Sequence, residues 1–256
     1  MVSVAGRDEL ISFCDELLEV GRFDDYGPNG LQVPGATEVT KLVSGVTANR
    51  RFLELAAASG AEMVLVHHGL FFGDGPRALS ESMAGRLRVV LGAQISVAAY
   101  HLPLDAHPEI GNNALLCAEL GMDPDQRRFA EVKGTPIGII GRDAVGIEAA
   151  ELVRRVATLL EREPLVFDFG PQTVRSVGIV SGAGAGTIAE AAALGLDALI
   201  TGEPAEHAMG EAEEAGLHFI AAGHYATERL GIRRLGELLA DRFDVDHEFV
   251  DVPNPV

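Results

Sequence analysis

The sequence predicts an α/β fold: two related α/β lobes from an internal duplication, with mostly parallel sheets flanked by helices. Three observations predict it. Short apolar strands alternate with amphipathic helices along the chain. A stretch of the first half returns in the second. Histidines follow the apolar strands at matching places in both halves.

The elements read in order as follows. Asp8 to Val20 is an amphipathic helix with Leu10, Phe13, Leu17 and Leu18 inward. Val39 to Val46 is an apolar strand, and Arg51 to Ser59 an alanine-rich helix stopped by Gly60. Glu62 to Val66 and Gln94 to Ala99 are buried strands, and Asn112 to Leu120 is a helix stopped by Gly121. The second half repeats the theme with strands at Val177 to Val180, Ala198 to Ile200 and Phe219 to Ala222. Its helices run from Thr187 to Leu194 and onward from Ala226.

The duplication is explicit in the letters. LVSGV (42–46) and AAASGAEMVLVHH (56–68) match IVSGA (179–183) and AAALGLDALITGE (191–203). VAAYHLPLD (97–105) matches IAAGHYATE (220–228), which brings His101 onto His224 and Asp105 onto Glu228. The lobes are expected at 1–125 and 126–256, with a junction near 123–134.

Composition bounds the function. The chain has 256 residues, 47% hydrophobic, enough for a sizeable core. Its net charge is -18, which argues against generic nucleic-acid binding and against an anionic membrane surface. Only Lys41 and Lys133 are lysines. That bias fits either a high-salt interior, where charge keeps a protein soluble, or GC-rich coding with an ordinary acidic surface. Cys14 and Cys117 lie in apolar stripes and read as buried thiols. Arg7, Asp8, Glu9 and Asp15 leave no apolar run for a signal peptide, and no stretch is long enough to span a membrane. The expected location is cytoplasmic.

His67 and His68 close the strand Met63 to Val66. His101 follows Ile95 to Ala99, with Asp105 and His107 behind it; His224 follows Phe219 to Ala222, with Glu228 four residues on. In open α/β sheets the carboxyl ends of strands are where ligands bind. On a helix, His224 and Glu228 share a face. In a strict strand His67 and His68 face opposite sides, so both serve one pocket only at a strand end, or bind different ions. Imidazole and carboxylate together suit zinc, iron or manganese, and so many donors suit two ions bridged by a carboxylate about 3.5–4 Å apart.

Other chemistry finds less support. Gly182 to Gly186 lies between strand and helix, but Thr187 stands where the third glycine of a phosphate-binding loop belongs; with Glu190 it reads as a capping box. Ser44 and Ser181 lie outside any nucleophile-elbow motif. His247 reads as surface in an acidic tail, His218 as partly exposed, and His207 as either pocket or surface.

GPNGLQV (27–33), SGVTAN (44–49), VHHGLFF (66–72), YHLPLD (100–105), ITGEPAEH (200–207) and AAGHYATE (221–228) resemble the GTP cyclohydrolase I type 2 homolog family, also called the NIF-three-like family. The resemblance covers nearly the whole chain, in the short form without an insertion domain. It implies a duplicated α/β fold, a homohexamer built as a trimer of dimers, and a dinuclear metal centre. By resemblance the metal ligands are His67, His68, Asp105, His224 and Glu228, with Glu228 as bridge. Glu228 and His101 would serve the reaction, His101 by orienting a ligand or touching substrate. The expected activity is metal-dependent hydrolysis of a small anionic or nucleotide substrate, GTP being the one the family name carries. The alternative is a non-catalytic protein that stores or delivers metal, or regulates partners.

Overall fold

Local chemistry marks most of the elements along the chain. The computed structural model describes residues 3–73 and 78–256. A short β1 (Ala5–Gly6) leads into α1 (Arg7–Leu17), which buries Leu10 and Cys14. There follow β2 (Gly30–Val33), β3 (Glu38–Val39), which pairs antiparallel with β1, and β4 (Lys41–Thr47). Asn49 starts α2 (Arg50–Ala58) by accepting a hydrogen bond from the Phe52 N–H at 2.9 Å. Gly60 ends that turn at a φ of 81°, where only glycine is unstrained. Next come β5 (Met63–His68), α3 (Glu81–Gly92) capped by Ser80, β6 (Ser96–Ala99), α4 (Leu102–Ala106) and α5 (Asn112–Glu119).

The later elements are β7 (Asp123–Val132), β8 (Thr135–Glu148), α6 (Ala149–Leu160), β9 (Leu165–Asp168) and β10 (Thr173–Val180). After them run α7 (Ile188–Ala193), β11 (Ala198–Thr201), α8 (Ala208–Ala215), β12 (His218–Ala221), α9 (His224–Phe243) and β13 (Asp246–Phe249).

These elements form two compact units, residues 1–104 with 231–252, and residues 105–230 with 253–256. In the first, a five-stranded sheet runs β13-β4-β5-β6-β2, parallel except where β2 meets β6. Val43, Val64, Val66 and Val97 pack with Phe52 and Leu53 of α2 in a core closed to water. In the second, a six-stranded sheet runs β7-β8-β10-β11-β12-β9. Its parallel centre, β10-β11-β12, answers β4-β5-β6 of the first. Val177, Ile179, Ile200 and Ile220 pack there against Leu152 and Val156 of α6. Among the described residues, no helix is long and apolar enough to cross a membrane. Both cysteines are buried free thiols, as read from their apolar surroundings.

Several local expectations give way. The stretch expected as a junction, 123–134, is all of β7 and its turn into β8; its polar sequence hid a strand whose outer half is exposed. The units are not separated by one cut after 125, because β13 returns to lie beside β4. His218 is buried at the start of β12, its Nε2 2.8 Å from the Pro171 carbonyl oxygen. His207, read as either pocket or surface, is exposed ahead of α8. The capping box at Thr187 does not form: its hydroxyl donates to the Gly184 carbonyl, and Glu190 accepts from the Ala130 N–H.

His247 is the largest correction. It stands in β13, half-buried, with Nε2 2.8 Å from the Ser44 hydroxyl oxygen. Burial disfavours its charged form and outweighs the pull of Glu237 and Asp246, so its pKa lies below the usual 6.5. The unfolded ring takes up a proton at a higher pH than the folded one. The stabilisation is therefore complete above the unfolded value and is lost as pH falls through the folded one. Denaturant unfolding from about pH 8 to about pH 5 should show the native chain losing more stability on acidification than His247→Gln. Parallel curves for the two proteins would contradict this account.

Candidate metal centre

In the first unit, three histidines meet at the carboxyl ends of β5 and β6. His67 and His68 are the last two residues of β5, where the strand's alternation ceases to separate them; their ring centroids lie 4.8 Å apart. His101, just beyond β6, has its ring 5.0 Å from that of His67 and 5.7 Å from that of His68. One ring nitrogen from each falls within 4.8 Å of the other two.

Each ring is held by its Nδ1. That of His67 donates to the Tyr100 carbonyl oxygen at 2.9 Å, which fixes the proton there and gives Nε2 the lone pair. That of His68 lies 3.1 Å from the Thr47 hydroxyl, across the pairing of β4 with β5. That of His101 lies 2.7 Å from Asp25 Oδ1. Asp25 is itself anchored, since its Oδ2 accepts from the Leu102 N–H at 3.0 Å and from the Asn29 amide at 2.9 Å. Burial opposes ionisation of Asp25, but the contacts from His101, Asn29 and the Tyr26 N–H outweigh it and hold the carboxyl below its usual range.

In the second unit, two carboxylates and a histidine gather where β10 and β12 end. Asp105, on α4, accepts from the Asn112 amide at 2.8 Å and the Ser181 hydroxyl at 3.0 Å, one residue past β10. Asn113 braces the same corner, accepting from the Ser181 N–H at 2.7 Å and donating to the Ile137 carbonyl at 2.9 Å. The next residue, Gly182, has a φ of 66°, and a Cβ there would overlap Glu228 Oε1 and lie 3.3 Å from His224 Nε2. The missing side chain is what admits the carboxylate.

His224 and Glu228 open α9 one turn apart, with Nε2 and Oε2 3.1 Å from each other. His224 Nδ1 lies 2.5 Å from Glu203 Oε1, on the loop after β11. Burial works against a charged His224, but the Glu228 and Glu203 carboxylates outweigh it and lift its pKa to about 9. Glu228 itself is only 3% exposed.

The structure thus groups His67, His68 and His101 in one unit, and in the other sets His224 against Glu228 and Asp105 on the Ser181 hydroxyl. His107 Nδ1 accepts from the Glu109 and Ile110 N–H groups at a turn. Sequence reading missed Asp25, Glu203, Asn112 and Ser181. Ser181 directly follows β10 and Glu203 comes two residues after β11; those strand-end positions, and their place in the repeated segments, were the available signals.

The described chain matches the family model Duf34/NIF3 (NGG1p interacting factor 3) over residues 5–255. It is 43% identical over 249 residues to the GTP cyclohydrolase 1 type 2 homolog of Pseudomonas aeruginosa, covering 96% of this chain and 97% of that one. The protein of the same name from Escherichia coli strain K12 is 42% identical over 248 residues, 96% and 98% of the two chains. Among solved structures, protein ybgI, described as of unknown function, superposes with a TM-score of 0.92 at 42% identity, over 98% of this chain and 100% of that one. TTHA1606 from Thermus thermophilus gives 0.86 at 32% identity, with the same coverage. A match that runs from β1 to the last residues, at such identity, means that the chain belongs to the Duf34/NIF3 family.

Proposed function

We propose that the protein is a dinuclear divalent-metal hydrolase acting on a small anionic substrate, with His67, His68, Asp105, His224 and Glu228 as the metal ligands. One observation carries this reading. His67, His68, His101 and His224 each have Nδ1 engaged by an oxygen, respectively of Tyr100, Thr47, Asp25 and Glu203. That is the pattern of metal-ligating histidines, in which the second nitrogen is hydrogen-bonded so that Nε2 is turned to the metal. The donor types fit zinc, iron or manganese.

Each residue has a distinct task. Glu228, buried and given room by Gly182, would serve as the bridging carboxylate. The two hydrogen bonds that Asp105 accepts on Oδ1 hold it in one orientation. Glu203 supports His224 as a ligand. When bound, the two cations polarise the bond under attack and acidify water. His101, backed by Asp25, accepts a proton at Nε2 or aligns the substrate by a hydrogen bond. GTP, the substrate named in the relatives, is the first to assay. The resemblance to this family supports a homohexamer, a trimer of dimers.

Metal analysis of untagged protein should find about two divalent ions per chain, and Glu228→Ala should lose at least one of them. Against a panel of GTP, phosphoesters and cyclic amides, hydrolysis should fall about 100-fold or more in His68→Ala and Glu228→Ala. Turnover that survives in both variants would assign the activity to a contaminant. Gly182→Ala should weaken metal binding about 10–100-fold by displacing Glu228. Metal affinity equal to that of the native chain would show that the carboxylate does not need the space. Light scattering should report about six chains per particle; a monomer would refute the assembly.

A further inference from the structure

We propose that a cavity beside the histidine cluster of the first unit is a ring-binding subsite, built by Phe71, Phe72, Leu79, Met83 and Arg86, that takes a flat aromatic ring bearing an oxygen acceptor. The inference rests on the reading that the neighbouring histidines hold metal and serve a small substrate. It names the part of that substrate remote from the metal ligands and the residue that selects it.

The cavity opens directly after His68. The loop from Gly69 to Gly73 forms one wall, and α3 with the residues before it forms the other. Its volume is about 490 Å³, within the range of roughly 300–1,000 Å³ common for small-molecule sites. One of its wall residues also borders the histidines: the Phe72 ring centroid lies 6.2 Å from that of His68 and 5.4 Å from that of His101, edge-on to both. A ligand lying along Phe72 therefore has the imidazoles at one end.

The lining is unusual for a surface in water. Phe71 is 37% exposed, Phe72 41% and Leu79 62%. Large apolar side chains gathered in a concave surface favour a ligand that covers them, and an aromatic wall favours a flat one. The charged member is Arg86. It is half-buried in the cavity wall. A guanidinium set among apolar side chains favours a ligand that brings it a carbonyl or carboxylate oxygen. The planar guanidinium suits an acceptor lying in the plane of the ring, the arrangement by which arginine reads the edge of guanine. Two sources share this chemistry, an oxo-substituted nucleobase and an aromatic carboxylate.

Calorimetry on the metal-loaded full chain, with four probes, separates the outcomes. The probes are guanosine monophosphate, purine riboside monophosphate without the oxo group, ribose 5-phosphate without the ring, and phthalate. Guanosine monophosphate should bind at least about tenfold tighter than purine riboside monophosphate, and Arg86→Gln should erase that ratio. Phe72→Leu should weaken both ring-bearing nucleotides about tenfold while leaving ribose 5-phosphate unchanged. Arg86-dependent binding of phthalate in place of the nucleotide would also support the subsite, with an aromatic acid as its ligand.

The proposal is overturned if Arg86→Gln changes no affinity, or if neither guanosine monophosphate nor phthalate binds better than ribose 5-phosphate. It is equally overturned if Phe72→Leu shifts the mass of the assembly and not ring binding, since the cavity then belongs to a contact between copies. Metal content measured on the same samples keeps the two readings apart. Arg86-dependent ring binding without stoichiometric metal contradicts the metal reading alone, whereas full metal content with Arg86-independent binding contradicts only the subsite.

Discussion

Parallel strands finish together. In each unit a triplet of parallel strands, β4-β5-β6 or β10-β11-β12, delivers its carboxyl ends to one edge of the sheet. Each residue singled out for chemistry depends on that constraint. His67 and His68 end one strand of the first triplet, and His101 follows its neighbour. Gly182, Glu203 and His224 follow the three strands of the other. The apolar runs that make these strands also bury them, so the polar residues at their ends lie close to the core: His67 is fully buried, while His68, His101 and His224 are half-buried.

Orientation is the second requirement, and it is met by groups of little individual note. A backbone carbonyl, a threonine hydroxyl and two carboxylates each hold one histidine by the same ring nitrogen. Asp25 shows how such support is layered. It orients His101 with one oxygen, while its other oxygen is tied to the first amide of α4 and to Asn29. The duplication kept the strands and the histidine at the end of the third, but changed the supports. Tyr100 stands before His101, where Gly223 stands before His224.

The parallel triplets and their histidines were legible in the sequence because both signals are local. Continuous apolar runs and fixed spacings such as His224 to Glu228 need no knowledge of distant residues. The flanking strands were not. β7 is largely polar and exposed along its outer half, so no hydrophobic period betrays it. β13 carries acidic residues at alternate positions and becomes a strand only by pairing with β4. The same difficulty hid Asp25 and Glu203, two among 38 acidic residues whose roles arise from what the fold sets beside them. Glu190 had the spacing for a local cap, yet the Ala130 amide of a distant strand claimed it.

The return of β13 to the first sheet bears on how the chain is made. Lys41 finds its partner in Asp246, about 200 residues later, so the first unit cannot finish its sheet when its own strands have just left the ribosome. Until α9 has been synthesised and β13 follows it, β4 presents an unpaired edge, of the kind that invites association with other chains. Residues 105–230 emerge in full before that edge is covered. The order of synthesis thus runs opposite to the order of completion: the sheet begun first is the one that closes last.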